Sequence, residues 1–248
     1  MPPACNPRAA TASAKVAAAA VAAYLRAIWP TPPPLRAAIV PVTPLQQNCT
    51  LLWCTETMRG AYVDPGGDLP KLKAAAAQHG VTIEKIILTH GHFDHCGEAK
   101  PLAEQLGIPI EGPHEADLFL LETLAEDGAK YGIMGGKAFV PDRWLVEGDT
   151  VTVGNLTLHV FETPGHTPGH VIFHHRESKL ALVGDVLFQG SVGRTDFPRS
   201  NHQQLIDSIV AKLWPLGDDT AFIPGHGPTS NFGHERKYNP FVGEGATA

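Results

Sequence analysis

The sequence predicts an α/β fold in four layers, with two stacked β-sheets at the centre and helices on the outside. Both halves of the 248-residue chain run from β-rich to helical segments, and in each half strand-like runs end on histidines. The 25 glycines and 22 prolines exceed ordinary usage and indicate many tight turns. A chain of this length forms one sizeable domain, or at most two small ones.

The first half alternates strands with helices. Apolar runs bounded by turn residues predict strands. The segment 68–79 predicts a helix, because Leu72 and four alanines lie between Asp68 and Gly80, a cap at each end. The predicted strands are 37–42, 49–54, 60–67, 84–90 and 108–112, and the predicted helices are 68–79, 97–106 and 113–121.

The second half begins with a glycine-containing loop over 122–143, and so long a loop in a compact domain is often functional. The segment 149–163 then predicts a hairpin that turns at Gly154-Asn155. His174 and His175 are expected at solvent-exposed or edge positions of a strand. The remaining predicted elements are strands over 170–175, 179–185 and 220–225 and a helix over 201–213.

The composition argues against several classes of protein. A net charge of -6 and a pI of about 6.1 argue against a nucleic-acid-binding surface, which needs a basic excess. The four cysteines include no Cys-x-x-Cys pair, which indicates a reducing compartment without a disulfide framework. No segment is apolar over the roughly 20 residues that a membrane span needs, so no membrane partner is predicted. The sequence makes no prediction of an oligomeric state.

Residues 1–35 form a predicted extension that differs in composition from the domain predicted over 36–248. The extension is alanine-rich and then proline-rich, and no Asp or Glu occurs before Glu56. A basic, acid-poor and weakly apolar start is typical of a targeting peptide. A disordered tail, or a start codon assigned too early, explains the same composition and is the favoured interpretation. We therefore expect a cytoplasmic protein, with targeting as the alternative.

A cluster of metal-binding residue types follows the strand predicted over 84–90, in the motif "LTHGHFDHCG". His90 and His92 lie on the same side of an extended turn, and Asp94 and His95 follow at once. The segment can therefore direct ligands to two neighbouring metal sites. Imidazole and carboxylate without thiolate favour catalytic zinc, manganese or iron. A histidine-rich surface loop is the alternative interpretation.

Three further candidate ligands lie at the ends of later predicted strands. His166 lies in "ETPGHTPGHV", on a turn framed by proline and glycine. Asp185 ends the buried strand in "LVGDVLF", where an unpaired carboxylate would be costly. His226 lies in "IPGHGP", between glycines that let the backbone bend tightly. Four strand ends that each deliver a ligand favour a metal site over a chance surface loop.

In this order, the motifs "THGHFDH", "PGHTPGH", "GD" and "GHG" resemble those of the metallo-β-lactamase-fold hydrolases. The resemblance covers roughly residues 36–242 and is closest to the short glyoxalase-II-like, or YcbL-type, group. The stretches that carry it include "VDPGGD", "GDVLFQGSVGRTDFPR" and "ERKYNPF". It implies a four-layer αββα sandwich with two divalent metal ions at the strand ends, zinc being favoured over iron or manganese.

The resemblance also implies a role for each ligand. The first metal would be held by His90, His92 and His166, the second by Asp94, His95 and His226, and Asp185 would bridge both. Such a metal pair would ionise a water that attacks a carbonyl carbon. Asp94 would orient that water and help to move its proton.

The implied substrate is a small-molecule thioester such as S-D-lactoylglutathione, hydrolysed to glutathione and D-lactate. Full-length glyoxalase II carries a C-terminal helical domain that helps to grip glutathione, whereas only residues 227–248 follow His226. We therefore expect looser or different substrate recognition. Candidates for gripping substrate carboxylates are Arg194, Arg199, Lys137 and Tyr131, with ordinary surface or packing roles as the alternative. For Arg194, a structural ion pair with Asp196 is an equal alternative.

Other functions within the same fold stay open. One is a persulfide dioxygenase with a single iron held by two histidines and an aspartate, because "GRTDF" also resembles that group. The complete set of seven ligands favours the hydrolases. Another fold member with a different ester or thioester substrate, and a non-enzymatic metal-binding scaffold, are further alternatives. His170 and Asp64 are candidates for holding a metal ligand by a hydrogen bond, with turn roles as the alternative.

Overall fold

The structure, a computed structural model, describes residues 34–132 and 136–246. Its first strand begins at Leu35, one residue before the predicted start of the domain. The predicted extension lies outside the described residues over 1–33, so its targeting role stays a prediction. Within the described part, no helix is both long and apolar enough to cross a bilayer.

The elements follow one another in the predicted order. The strands are β1 (Leu35–Val42), β2 (Gln47–Cys54), β3 (Arg59–Val63), β4 (Thr82–Ile87), β5 (Ile110–Glu111), β6 (Thr150–Val153), β7 (Leu156–Glu162), β8 (Val171–His175), β9 (Leu180–Gly184), β10 (Leu187–Phe188), β11 (Ser191–Val192), β12 (Ala221–Pro224) and β13 (Ser230–Asn231). The α-helices are α1 (Leu69–His79), α2 (Phe93–Cys96), α3 (Ala99–Leu106), α4 (Leu118–Glu122), α5 (Leu124–Lys130), α6 (His202–Ser208) and α7 (Phe232–Tyr238). A 3-10 turn at Glu115–Asp117 precedes α4, and α6 continues into a π-helical segment at Ile209–Leu213.

Two sheets carry the architecture. The first has the order β1-β2-β3-β4-β5, antiparallel from β1 to β3 and parallel from β3 to β5. The second has the order β13-β12-β9-β8-β7-β6, in which β9 and β12 are parallel and the other neighbours antiparallel. The strands β3 and β4 of one sheet, and β9 and β12 of the other, therefore bring their carboxyl ends to one edge, where α/β proteins place their ligands.

Three apolar clusters separate four layers of structure. Between the sheets, Leu52 of the first packs in one cluster with Phe173 of the second. The outer face of the first sheet packs against α1 and α3 through a cluster that contains Leu72. The outer face of the second packs against α6 and α7 through a cluster that contains Leu205. Each fully buried leucine or phenylalanine contributes about 1.5–3 kcal/mol. The predicted αββα sandwich is confirmed.

Two local predictions are wrong. The segment 122–143 is not wholly irregular, because α5 occupies 124–130. His174 and His175 are buried rather than exposed. The reason is topological, since β8 pairs with β7 on one side and with β9 on the other and so lies inside its sheet.

The start of α1 also differs from the prediction. Asp68 has a left-handed backbone, with φ 55, and makes no side-chain cap hydrogen bond. Its Oδ2 instead accepts a hydrogen bond from the backbone N–H of Thr43, 3.1 Å away. Gly80, at φ 66, ends the helix as predicted. The aspartate therefore fixes the turn after β1 rather than capping the helix.

Gly66 lies where the turn after β3 meets the backbone of α2. A Cβ at this residue would be 1.5 Å from the carbonyl oxygen of Asp94, so the two segments would have to separate. We expect Gly66→Ala to lower the free energy of unfolding by about 3 kcal/mol or more, measured by denaturant unfolding. Gly245→Ala is the matched control, because no atom lies within 4 Å of its Cβ position. Equal stability of the two variants would contradict this packing.

Candidate metal centre

The seven predicted ligands meet at the edge where the carboxyl ends of the strands lie. His90 and His92 follow β4, Asp94 and His95 lie in α2, His166 follows β7, Asp185 follows β9, and His226 follows β12. Hydrogen bonds at this edge join the two sheets to each other and join β12 to β9 within the second sheet. The N–H of Asn48 donates to the carbonyl of Gly225 at 2.7 Å, and the N–H of Gly225 donates to the carbonyl of Gly184 at 2.8 Å. The strand ends are thereby fixed relative to one another.

Three imidazole nitrogens face one another in the first group of ligands. Nδ1 of His92 lies 3.1 Å from Nε2 of His90 and 3.0 Å from Nε2 of His166. Nδ1 of His166 donates to the backbone carbonyl of Arg194 at 2.7 Å, which leaves the lone pair of Nε2 directed at the centre. Burial, with the nearby His166, lowers the pKa of His92 to about 3. Uncharged imidazoles thus turn ring nitrogens toward a common position.

Asp94, His95 and His226 form the second group. Oδ2 of Asp94 lies 3.1 Å from Nε2 of His226 and 3.8 Å from Nε2 of His95. Nδ1 of His95 contacts Oδ2 of Asp64 at 3.0 Å, and Nδ1 of His226 lies 3.2 Å from the carbonyl of Leu45. Each histidine therefore commits Nδ1 to an acceptor behind it and turns Nε2 toward Asp94.

Asp185 lies between the two groups. Its Oδ2 is 3.7 Å from Nε2 of His166 and 3.7 Å from Nε2 of His226, and its Oδ1 is 3.4 Å from Nε2 of His95. Burial alone would raise the pKa of Asp185, but His95 and the other histidines outweigh it and hold the pKa well below its usual range. Asp185 is therefore an anion that contacts both groups, in the position expected of a bridging ligand.

The chemistry of these donors fits a pair of divalent cations. Among the described residues, Nε2 of His95 and Oδ1 of Asp185 are buried without a hydrogen-bond partner. Such atoms are rare in proteins, and each costs free energy unless something binds it. The nitrogen and oxygen donors, without sulfur, form the set that zinc, iron and manganese take in catalytic sites. The residues present could therefore hold two metal ions.

Two residues behind the ligands hold them in place. The carboxylate of Asp64 accepts hydrogen bonds from the backbone N–H and the hydroxyl of Thr89, at 2.8 and 2.6 Å, and also contacts His95. Nε2 of His170 accepts a hydrogen bond from the N–H of Asp185 at 3.1 Å, and its ring stacks on that of His90. Asp64 thus contacts a candidate ligand, as one interpretation of the sequence expects. It also lies in a turn, with φ 53, as the other expects.

Sequence reasoning missed Asp117. This buried carboxylate accepts hydrogen bonds from the N–H of Gly91 at 2.9 Å, the N–H of Gly169 at 2.6 Å and the hydroxyl of Thr167 at 2.7 Å. It therefore joins the loop of His90 and His92 to the loop of His166. Two of its three partners are backbone groups, so no motif in the sequence marks it.

A cleft of about 350 Å³ opens over the centre. Its walls above the ligands are formed by Leu45, Phe93, Tyr131, Phe188, Arg194 and Phe197. Tyr131 and Arg194 are thus where a substrate-binding role requires them. Arg194 also forms a two-point ion pair with Asp196, at 3.0 and 2.7 Å, so the structural alternative holds as well.

The other two substrate-binding candidates do not line this cleft. Lys137 forms an exposed ion pair with Glu104 at 2.8 Å. The guanidinium of Arg199 stacks over the ring of Phe119, 4.1 Å from its centroid. Proximity to the long loop and to the "GRTDF" motif suggested these residues, but each side chain is engaged elsewhere.

Comparison with known proteins places most of the chain in one family. The family model of the Metallo-beta-lactamase superfamily matches residues 42–226. The chain is 44% identical over 205 residues to the hydroxyacylglutathione hydrolase GloC of Haemophilus influenzae, a match that covers 82% of this chain and 96% of that protein.

Two solved structures share the fold closely. The BLEG-1 B3 metallo-beta-lactamase is similar with a TM-score of 0.76 and 34% identity, over 84% of this chain and 99% of that one. TTHA1623 in a di-iron-bound form is similar with a TM-score of 0.75 and 38% identity, over 83% of this chain and 100% of that one. The region that the family model matches, residues 42–226, includes every candidate metal ligand of this chain.

The buried position of Asp117 predicts a pH-dependent contribution to stability. Burial raises its pKa to about 6, from a usual 3.8. Because the folded pKa is the higher one, the stability linked to its proton is present below pH ~4 and is lost as pH rises through ~6. Between pH 5 and pH 7.5, we expect the free energy of unfolding of the wild type to fall by about 1 kcal/mol relative to that of Asp117→Asn, whose side chain cannot titrate.

Denaturant unfolding of both proteins at the two pH values measures this difference. Asp207→Asn, at an exposed aspartate, is the control and should parallel the wild type. At both pH values Asp117→Asn should be the less stable protein. The amide N–H₂ of the asparagine cannot accept the hydrogen bonds that one carboxylate oxygen of Asp117 accepts. If the difference in free energy of unfolding between wild type and Asp117→Asn were the same at both pH values, a raised pKa of Asp117 would be contradicted.

Proposed function

This chain belongs to the Metallo-beta-lactamase superfamily and is a metallo-hydrolase, and we propose that its substrate is a hydroxyacylglutathione such as S-D-lactoylglutathione. The products are glutathione and the free 2-hydroxy acid. The observation that carries the proposal is the convergence of seven histidine and aspartate side chains, with lone pairs directed inward, at the floor of one cleft.

The ligand assignment is part of the proposal. His90, His92 and His166, whose ligand atoms lie within 4.8 Å of one another, would hold one ion, and Asp94, His95 and His226 the other. Asp185 would contact both. When bound, such a pair ionises a water and polarises the scissile carbonyl. Zinc is the first candidate, and the di-iron form of TTHA1623 makes iron the main alternative.

The residues of the chain supply the remaining steps. Asp94 lines the cleft, and because its Oδ2 is engaged with His226, its Oδ1 is the oxygen that we assign to the proton of the attacking water. The water oxygen bonds to the carbonyl carbon, the C–S bond breaks, and the thiolate takes up the proton that Asp94 held. Asp64, His170 and Asp117 keep the ligands oriented, so little reorganisation accompanies the reaction.

The relative GloC supports the choice of thioester. Its name states hydroxyacylglutathione hydrolysis, and the match covers 96% of its length. A protein without a long additional domain can therefore carry that name. We accordingly assign glutathione recognition to the walls of the cleft, where Arg194 and Tyr131 lie.

A thioester panel tests this function. We expect the purified, metal-loaded protein to hydrolyse S-D-lactoylglutathione, measured by release of free thiol, and Asp94→Ala to lower kcat/KM at least 100-fold, by roughly the contribution of a positioned acid or base. Asp207→Ala is the control variant and should retain wild-type turnover. Elemental analysis beside the assay should give two divalent ions per wild-type chain.

Each alternative predicts a different result from the same samples. A scaffold would hydrolyse no thioester with both metal sites filled. A persulfide dioxygenase would consume oxygen with glutathione persulfide and leave the thioesters intact. Hydrolysis of simple thioesters but not of glutathione thioesters would keep the hydrolase and remove the glutathione assignment.

The two metal groups should differ in pH dependence. Burial opposes protonation of His95 and His226, but the carboxylates of Asp94 and Asp185 outweigh it and raise both pKa values, whereas burial lowers the pKa of His92 to about 3. A raised pKa makes protons compete with the metal up to a higher pH. The second group should therefore lose its ion first on acidification.

Dialysis from pH 8 down to pH 5, followed by elemental analysis, measures this order with a matched pair of variants. His226→Ala leaves the first group intact, and His166→Ala leaves the second. We expect His226→Ala to retain its ion at a pH where His166→Ala has lost its own. If His226→Ala lost its ion at a higher pH than His166→Ala, the raised pKa values of His95 and His226 and the lowered pKa of His92 would be contradicted.

A further inference from the structure

A second cavity of about 380 Å³ lies beside the cleft, and we call it the side chamber. Its walls include Phe93, Phe119, Leu120, Tyr131 and Phe197. These residues come from α2, from the segment containing α4 and α5, and from the loop after β11. The steps assigned to the metal ligands and Asp94 leave this cavity unused.

The side chamber adjoins the cleft over the metal centre. His92, Phe93, Tyr131 and Phe197 line both spaces. Phe93 and Tyr131 stack with their centroids 4.9 Å apart, and Phe197 lies 4.8 Å from the ring of His92. Because His92 is also a candidate metal ligand, a carbonyl that reacts at the centre lies one side chain away from the chamber.

The walls of the side chamber favour an apolar guest. Phe119 and Leu120 are half-buried and face it together with the shared aromatic rings. Among the described residues, the charged groups on its wall are Asp127 and Lys130, which pair with each other at 2.6 Å. These two charges offset each other, so the described wall does not favour a carboxylate, whereas an apolar group gains by leaving water.

The glutathione part and the acyl part of a glutathione thioester differ in charge. The glutathione arm carries two carboxylates and an ammonium, and exposed Arg194 lies on the cleft side. The acyl arm carries no charge. The charged arm therefore fits the solvent-exposed cleft, and the acyl arm fits the side chamber.

We propose that the side chamber is the acyl-binding site and selects thioesters with a bulky apolar acyl substituent. This inference rests on the proposed function, because it assumes that the centre cleaves a 2-hydroxyacyl thioester. A methyl group, as in a lactoyl thioester, leaves most of 380 Å³ empty, while a phenyl or branched aliphatic group fills more of it.

The test compares two substrates that share glutathione and differ only in the acyl group, S-mandeloylglutathione with a phenyl ring and S-D-lactoylglutathione with a methyl. The measured quantity is the ratio of their kcat/KM values. We expect Leu120→Trp, which fills the chamber, to lower the ratio of mandeloyl to lactoyl at least 10-fold. Val210→Trp, at an exposed position that lines neither cavity, is the matched control and should keep the wild-type ratio.

Lys130→Trp provides a second route if Leu120→Trp does not fold, because Lys130 lines the chamber with its side chain 66% exposed. Melting temperatures identify folded variants. A ratio unchanged in every folded chamber variant, with S-D-lactoylglutathione still hydrolysed by the wild type, overturns the acyl-site inference and leaves the proposed function intact. Wild-type protein that hydrolyses neither substrate overturns both.

Discussion

Lone pairs of nitrogen and oxygen face one another across the buried centre, and this arrangement is unfavourable unless positive charge lies among them. Burial lowers the pKa of His90, His92 and His166, so these imidazoles are uncharged, and Nδ1 of His166 already donates to the carbonyl of Arg194. Asp185 brings an anion to the same place. The site is therefore built around cations, and the electrostatics of the apo form and of the loaded form must differ strongly.

Holding unfavourable groups together requires a rigid frame, and the two sheets provide it. Five of the seven candidate ligands follow strands that pack in a core, and the other two, Asp94 and His95, lie in α2. Where two ligand loops leave the sheets, Asp117 joins them through backbone N–H groups. Gly225 allows a close approach to a candidate ligand, since a Cβ there would lie 2.1 Å from Oδ1 of Asp185. Rigidity of this kind reduces the reorganisation that catalysis would otherwise need.

The sequence pointed to seven residues that the structure brings together, but not to the groups around them, for a physical reason. A candidate ligand such as His226 lies just after a strand and is framed by glycines, so local patterns single it out. Asp117 acts on backbone groups from distant loops, and only the tertiary structure reveals those partners. Lys137 was a candidate because a positive charge lies near a long loop, but its side chain pairs with Glu104 and does not line the cleft, so a substrate role stays a prediction. The burial of His174 followed from strand order, which local alternation does not encode.

Most of the candidate metal ligands lie at strand ends, next to the packed cores. The cleft walls above them come from α2, the residue after α5, the loop after β11, the turn after β1, and β10. A substitution at Phe93, Tyr131 or Phe197 can change the space beside the centre without moving a ligand backbone. Selectivity can therefore change among proteins of this fold while the centre stays the same. Under the proposed function, the aromatic walls of the side chamber favour selection of the acyl group by shape and apolar contact more than by charge.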